Sequence, residues 1–273
     1  MQKLKESIAK KIIIVPFILL VILTIWRVVL ILNHSPQGGY DIQIWAATYQ
    51  VIAWFGAISG FYFASLWGGW KSIVGKANLA FAIGLLLQSF GQSVFSYFFY
   101  KGIEVPYPSL ADIGFFGSIP FYMFGAFLLL RLLHSKSSFK SAKNITLAFS
   151  IPIIVLLLSY LEFLKGYQFD WTNKLKIFLD FGYPFGQAIY VGLAIGAFIF
   201  SFNNLSGIMK KPMLLFIFSL FMQYISDYIF LYTSNNGTFV GGGIVDYLYL
   251  VAYFLMAVSL IELGLSFYKI RNS

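Results

Sequence analysis

The 273-residue chain is 59% hydrophobic and 11% charged, carries a formal net charge of +9, and contains no cysteine. An ordinary soluble enzyme has about a quarter of its residues charged; that class is excluded, together with disulfide scaffolds and cysteine-ligated metal or haem sites. What remains is a polytopic membrane protein unusually rich in aromatics, with 31 Phe, 18 Tyr and 6 Trp.

A helix that crosses a bilayer needs about 20 mostly apolar residues. The charges punctuate the chain into such runs: none falls between Asp41 and Lys71, Lys76 and Lys101, Asp112 and Arg131, Lys143 and Glu162, or Asp180 and Lys210. The pattern predicts an all-α fold of eight transmembrane helices, at 12–33, 42–67, 77–100, 112–133, 145–164, 177–202, 212–233 and 244–267. The first run has a basic flank but no small-x-small cleavage pattern before His34, Ser35 and Pro36. It reads as a retained span, not a signal peptide. Pro120 lies inside the fourth helix and should kink it, whereas Pro184 is expected in the first turn of the sixth, where proline is tolerated. The joining loops are short, so residues 1–273 form a single integral membrane domain.

Orientation follows from the basic residues. With the N-terminus inside, fourteen Lys and Arg fall on inner segments, against Lys101, Lys165, Lys174 and Lys176 outside. Both termini are therefore expected in the cytoplasm, with the chain in the inner (cytoplasmic) membrane. The lysines are dispersed, which points to contact with membrane lipids and not to nucleic acid.

Four aspartates recur at similar places, Asp41, Asp112, Asp180 and Asp246, each near the outer start of an even-numbered helix. The chain thus reads as four helical hairpins. At these positions a carboxylate can cap the free N–H groups of the first turn and meet the positive end of the helix dipole. Two ionisable residues lie deeper, Arg27 in the first helix and Asp227 in the seventh. Intramembrane charges are costly and usually find partners inside the bundle, and their matched depth predicts a salt bridge between them. Intramembrane polarity gathers toward the outer face, with Gln88, Gln92 and Gln223 among the amides, and Tyr49, Tyr122, Tyr183, Tyr190, Tyr249 and Tyr253 follow the aspartates closely. Those tyrosines either form an interfacial belt or line a polar cavity that opens outward. The candidate ligand-binding residues are Arg27, Asp112, Asp180, Asp227, Asp246, Gln92, Tyr183 and Tyr249.

Catalytic signatures are missing. The two histidines, His34 and His134, fall on opposite sides of the predicted membrane, so no common zinc set can be assembled from them. There is no Gly-x-Ser-x-Gly elbow, P-loop or dinucleotide fingerprint. No catalytic residue, metal or cofactor is assigned.

Two stretches carry a family resemblance. One runs from Pro106 through Pro108, Ser109, Ala111 and Asp112 to Pro120; the other holds Ser226, Asp227, Gly237, the glycines 241–243 and Asp246. Together they cover about a quarter of the chain. They resemble the multi-helix membrane input regions that precede GGDEF, EAL or histidine-kinase domains in bacterial signalling proteins. The resemblance implies a non-catalytic sensory or receptor-like module, isolated or stand-alone, whose relatives carry a fused output domain or meet a cytoplasmic partner. It implies signalling through the cytoplasmic end of the last helix and specifies neither ligand nor oligomeric state. A small-molecule or lipid transporter is the alternative, and an intramembrane lipid-modifying enzyme the third reading.

Overall fold

A computed structural model describes residues 7, 9–36, 39–133, 142–201 and 207–272. Among them the regular structure is helical, without a strand. The helices are α1 (Ile14–Leu32), α2 (Tyr40–Thr48), α3 (Val51–Leu66), α4 (Ile73–Tyr100), α5 (Leu110–Leu133), α6 (Ala142–Ser159), α7 (Lys174–Ser201), α8 (Lys210–Asn235) and α9 (Ile244–Asn272). Seven helical stretches are long and apolar enough to cross a membrane; α2 and α3 form one of them, and the α6 region contributes a shorter apolar helix, Ser150–Leu164. A multi-pass membrane protein follows. His134, Lys3, Lys5, Lys136 and Lys140, on which part of the sequence reading rests, lie outside the described residues.

Local chemistry explains where these elements depart from the predicted runs. The second run is broken at Tyr49 and Gln50. There Thr48 Oγ1 donates to the Ile44 carbonyl at 2.6 Å and Gln50 Nε2 to the Ala47 carbonyl at 2.9 Å, so side chains compete with the backbone ladder. α4 starts at Ile73 because Ser72 Oγ accepts the Gly75 N–H at 2.9 Å. α6 gives way to a π turn, Tyr160–Leu164, closed by the Lys165 N–H on the Tyr160 carbonyl at 2.8 Å. α7 begins at Lys174, where Asn173 Oδ1 accepts the Lys176 N–H at 3.1 Å. That earlier start moves Asp180 into the second turn and leaves Pro184 inside the helix instead of in its first turn.

The helix contacts close into a ring: α3 on α4, α4 on α5, α5 on α7, α7 on α8, α8 on α9, and α9 back on α3. α4 also touches α9 across the ring. α1 packs outside it on α9, α2 and α3, and α6 packs outside on α7. Only 11% of the apolar window of the α1 stretch is buried, as for a helix facing lipid.

Small residues permit the closest approach, as is usual where lipid supplies no hydrophobic drive between helices. A Cβ on Gly114 of α5 would stand 2.4 Å from both the Gly91 nitrogen and the Leu87 carbonyl oxygen of α4. Aromatic rings fill the interior; Phe81 stacks on Phe216 at 4.5 Å, and Tyr122, Tyr190 and Tyr253 are buried.

Candidate functional site

The site is built from aspartates paired with tyrosines. Asp227, partly buried on α8, is its hub. Its Oδ1 accepts the Tyr249 hydroxyl of α9 at 2.9 Å and Gln223 Nε2, one turn earlier on α8, at 2.9 Å. Its Oδ2 accepts the Tyr190 hydroxyl of α7 at 3.3 Å. One carboxylate therefore joins three helices through donors that carry no charge.

Aromatic and amide contacts extend the network around the ring. Tyr190 meets the Tyr122 ring of α5 edge-on at 5.9 Å. Tyr249 lies 6.0 Å from Tyr253, which stacks on Tyr49 at 6.1 Å. The Tyr253 hydroxyl donates to Gln88 Oε1 of α4 at 3.3 Å, and Gln88 Nε2 donates to Ser118 Oγ of α5 at 2.8 Å. Tyr49, at the break between α2 and α3, donates to Asp246 Oδ1 of α9 at 3.1 Å. Asp246 is 4% exposed and also accepts the Gly242 N–H.

The other two pairs lie toward the ends of α5 and α7. Asp112 Oδ1 accepts the Tyr183 hydroxyl at 2.8 Å. Its Oδ2 accepts the Ser109 N–H at 2.7 Å while Ser109 Oγ accepts the Ala111 N–H at 3.2 Å. That reciprocal arrangement is a capping box, so Asp112 caps its helix and holds a tyrosine at once. Asp180 accepts the Tyr107 hydroxyl at 2.7 Å and the Tyr167 hydroxyl at 2.6 Å. Burial and the Asp180 hydrogen bond push the Tyr107 phenol well above its ordinary range. The Asp180 hydrogen bond holds the Tyr167 proton, raising that phenol to about 12.

The expected Arg27–Asp227 ion pair is absent; the ion pairs among the described residues join Glu262 to Lys211 and Lys269. Arg27 instead lies over the Trp45 ring at 5.5 Å, and the carboxylate it interacts with electrostatically is Asp246. The reason is packing: α1 sits against α9, α2 and α3, while Asp227 points among α7, α8 and α9. Gln92 is buried on α4, one turn beyond Gln88. Asp41 is exposed in the first turn of α2.

The interior tyrosines do not line an open cavity. Tyr49, Tyr190, Tyr249 and Tyr253 are buried and bonded to the carboxylates and amide described above, and Tyr122 is buried against the Tyr190 ring. Two open clefts lie elsewhere, one of about 740 Å³ against α6 and α7, the other of about 300 Å³ beside Ser93 and Leu110. Among the described residues no three of His, Asp and Glu stand together as a metal site. The oxygens of Asp227 already accept three donors, so the arrangement acts as a clamp between helices more readily than as a free base.

Sequence reasoning missed Glu262. Its side chain is 7% exposed on α9, bonded to the Lys211 ammonium from the start of α8 and 4.0 Å from that of Lys269. The signal was present, since Glu262 is a charge inside the predicted last span. No family model matches the chain, and neither does any of the curated proteins or solved structures compared with it.

Proposed function

We propose that the chain is a membrane sensory module with no catalytic step of its own. It sits in the cytoplasmic membrane with both termini on the cytoplasmic side, its eight helices grouped as four hairpins. A small or amphiphilic ligand, or the state of the membrane itself, acts at the aspartate-bearing half and shifts the helix packing. Such a mechanism requires that the stimulus favour one of two packings over the other. The change travels along α9 to a cytoplasmic partner or to an output domain fused in relatives. The resemblance of residues 106–131 and 226–264 to bacterial input regions supports the same reading.

The observation that carries this reading is the position of α9. It contacts α1, α3, α4 and α8. Near its N-terminus it bears Asp246, Tyr249 and Tyr253, all in the aspartate–tyrosine network. Near its C-terminus it bears Glu262, which bonds Lys211 at the start of α8 and lies 4.0 Å from Lys269 of its own helix. A single rigid helix thus connects the network to the far end of the bundle.

Because the chain has no cysteine, spin labels can be placed cleanly at Lys71→Cys and Arg271→Cys. The distance between them is measured by pulsed electron resonance in nanodiscs of short-chain and long-chain phosphatidylcholine, with and without Asp227→Asn. The expected result is a distance distribution that changes with lipid length and loses that response in the variant. Identical distributions in every condition, combined with solute uptake by proteoliposomes, would replace this reading with a transporter, for which intramembrane carboxylates are also suited. Lipid turnover abolished by Asp227→Asn in a folded protein would favour the enzyme.

A further inference from the structure

The loop from the π turn to α7, residues 165–173, carries Tyr167, Phe169 and Trp171 on a backbone held in one shape. The Lys165 N–H closes on the Tyr160 carbonyl at 2.8 Å, the Tyr167 N–H on the Leu164 carbonyl at 3.1 Å, and the Asn173 N–H on the Asp170 carbonyl at 3.0 Å. Asp170 Oδ1 accepts the Thr172 N–H at 3.0 Å and the Thr172 hydroxyl, the local bonding by which aspartate builds turns. Gly166 supplies the one left-handed residue, at φ +81°. Tyr167 ties the loop to α7, its hydroxyl donating to Asp180 Oδ2 at 2.6 Å.

On this frame the rings form a column. Phe181 of α7, Phe169 and Trp171 lie nearly parallel, Phe169 standing 5.7 Å from the first and 5.4 Å from the second. Tyr167 meets Phe169 and Phe181 edge-on at 5.1 and 5.2 Å. The column closes no core, because Phe169 stays 51% exposed and Trp171 68%. A lone exposed apolar side chain needs no account, but a contiguous patch marks an interaction surface. Phe169 and Phe181 line the same cleft as Tyr160, Phe178 and Phe185, which are themselves exposed. The column is therefore the end of an outward-facing apolar surface that runs along α7, a helix of membrane length. Charge at its edge is balanced: Lys165, Lys174 and Lys176 are matched in number by Glu162, Asp170 and Asp180, and Lys176 interacts electrostatically with Asp170.

We infer that residues 165–173 dock on the bilayer interface, with Phe169 and Trp171 seated between the lipid headgroups and the first acyl carbons. The flank of α7 that bears Phe178 and Phe185 continues without a break into the column, so the lipid that covers the one covers the other. Tryptophan and tyrosine favour this layer because an apolar ring carries a polar tip that stays in contact with water. The edge has no net charge, so the partner it fits is a zwitterionic headgroup layer, and the rings, not the lysines, carry the contact. The fixed backbone leaves little to order on docking. Through the Tyr167–Asp180 hydrogen bond the docked loop also sets the depth at which α7 enters the membrane. The assignment does not depend on the sensory reading; a transporter or an enzyme could carry the same anchor.

The test uses the full chain in phosphatidylcholine nanodiscs. Subtracting the emission of Trp171→Phe from that of wild type isolates one of the six tryptophans. That difference should be quenched severalfold more by phosphatidylcholine brominated near the carbonyl than by acrylamide in the water, and adding phosphatidylglycerol should leave it unchanged. A spin label at Gln168→Cys, exposed beside Phe169, should meet oxygen severalfold more readily than a water-soluble nickel chelate. Adding Phe169→Ser and Trp171→Ser should reverse that preference, and Trp171→Ser alone serves if the double change does not fold. Quenching of Trp171 by acrylamide but not by brominated lipid would overturn the inference. Immersion that requires phosphatidylglycerol would do the same, as would unchanged access at residue 168 in a folded serine variant. Protection of Trp171 from both quenchers would overturn it in favour of a protein surface, such as a second copy of the chain.

Discussion

Replacing Asp227 by leucine tests whether the aspartate–tyrosine network is a structural clamp. The substitution removes the acceptor of three hydrogen bonds, from Tyr249 at 2.9 Å, Gln223 at 2.9 Å and Tyr190 at 3.3 Å. Hydrogen bonds between membrane helices average about 0.6 kcal/mol and reach about 1.7, so the bonds alone sum to roughly 2–5 kcal/mol. Removing an intramembrane charge returns part of this. Against that gain, Tyr190, Tyr249 and Gln223 are buried, and a buried donor left without an acceptor costs about 1–3 kcal/mol. The orphaned donors outweigh the relieved charge, and the net expectation is a loss of about 2–4 kcal/mol. For a chain of this size that lowers the unfolding midpoint by roughly 5–10 °C. The assay is thermal unfolding in detergent followed by circular dichroism. Adding Tyr190→Phe and Tyr249→Phe to Asp227→Leu should recover much of the loss, because removing both partners of a hydrogen bond is nearly neutral. A single variant as stable as wild type, or a triple variant less stable than the single, would refute the clamp.

Three further outcomes follow from the geometry. Gly114→Ala places a methyl group 2.4 Å from the α4 backbone; the forced separation of α4 and α5 should cost about 1–3 kcal/mol in the same unfolding assay. Lys211→Met strips the closer cation from buried Glu262, but the lysine is itself 66% exposed, so the loss should be modest, about 1 kcal/mol, and Glu262→Gln in the Lys211→Met background should restore it. Tyr167 ionises late because Asp180 holds its proton, near 12. A phenol raised in the folded state contributes stability that is fully present below about pH 10. That contribution is lost as pH rises toward 12. Ultraviolet titration of phenolate absorbance should show Asp180→Asn moving one or more phenols back toward the ordinary range, with no change if the hydrogen bond does not govern ionisation.

The legible part of this fold was local. The predicted apolar runs coincide with the seven helical stretches long enough to cross a membrane and with the shorter apolar helix Ser150–Leu164, because an apolar stretch of membrane length has few alternatives to a helix that satisfies its own backbone. Errors clustered where side chains compete for backbone groups, at Tyr49–Gln50 and at the caps Ser72 and Asn173. Ser109 and Asp112, three residues apart, could be read as a cap from spacing alone. That Asp112 would also receive Tyr183, 71 residues on, could not.

Composition and the order of charges by themselves determined the class, the helices and the placement of acids near helix starts. Tertiary structure alone decided that Asp227 goes to Tyr190 and Tyr249, that Arg27 goes to Trp45, and that Glu262 is buried between two lysines. The reason is physical. A helix apolar on all sides carries no polar stripe to mark its inward face. Which faces meet is then set by small residues such as Gly91 and Gly114 on separate helices, and that complementarity exists only once the helices are packed.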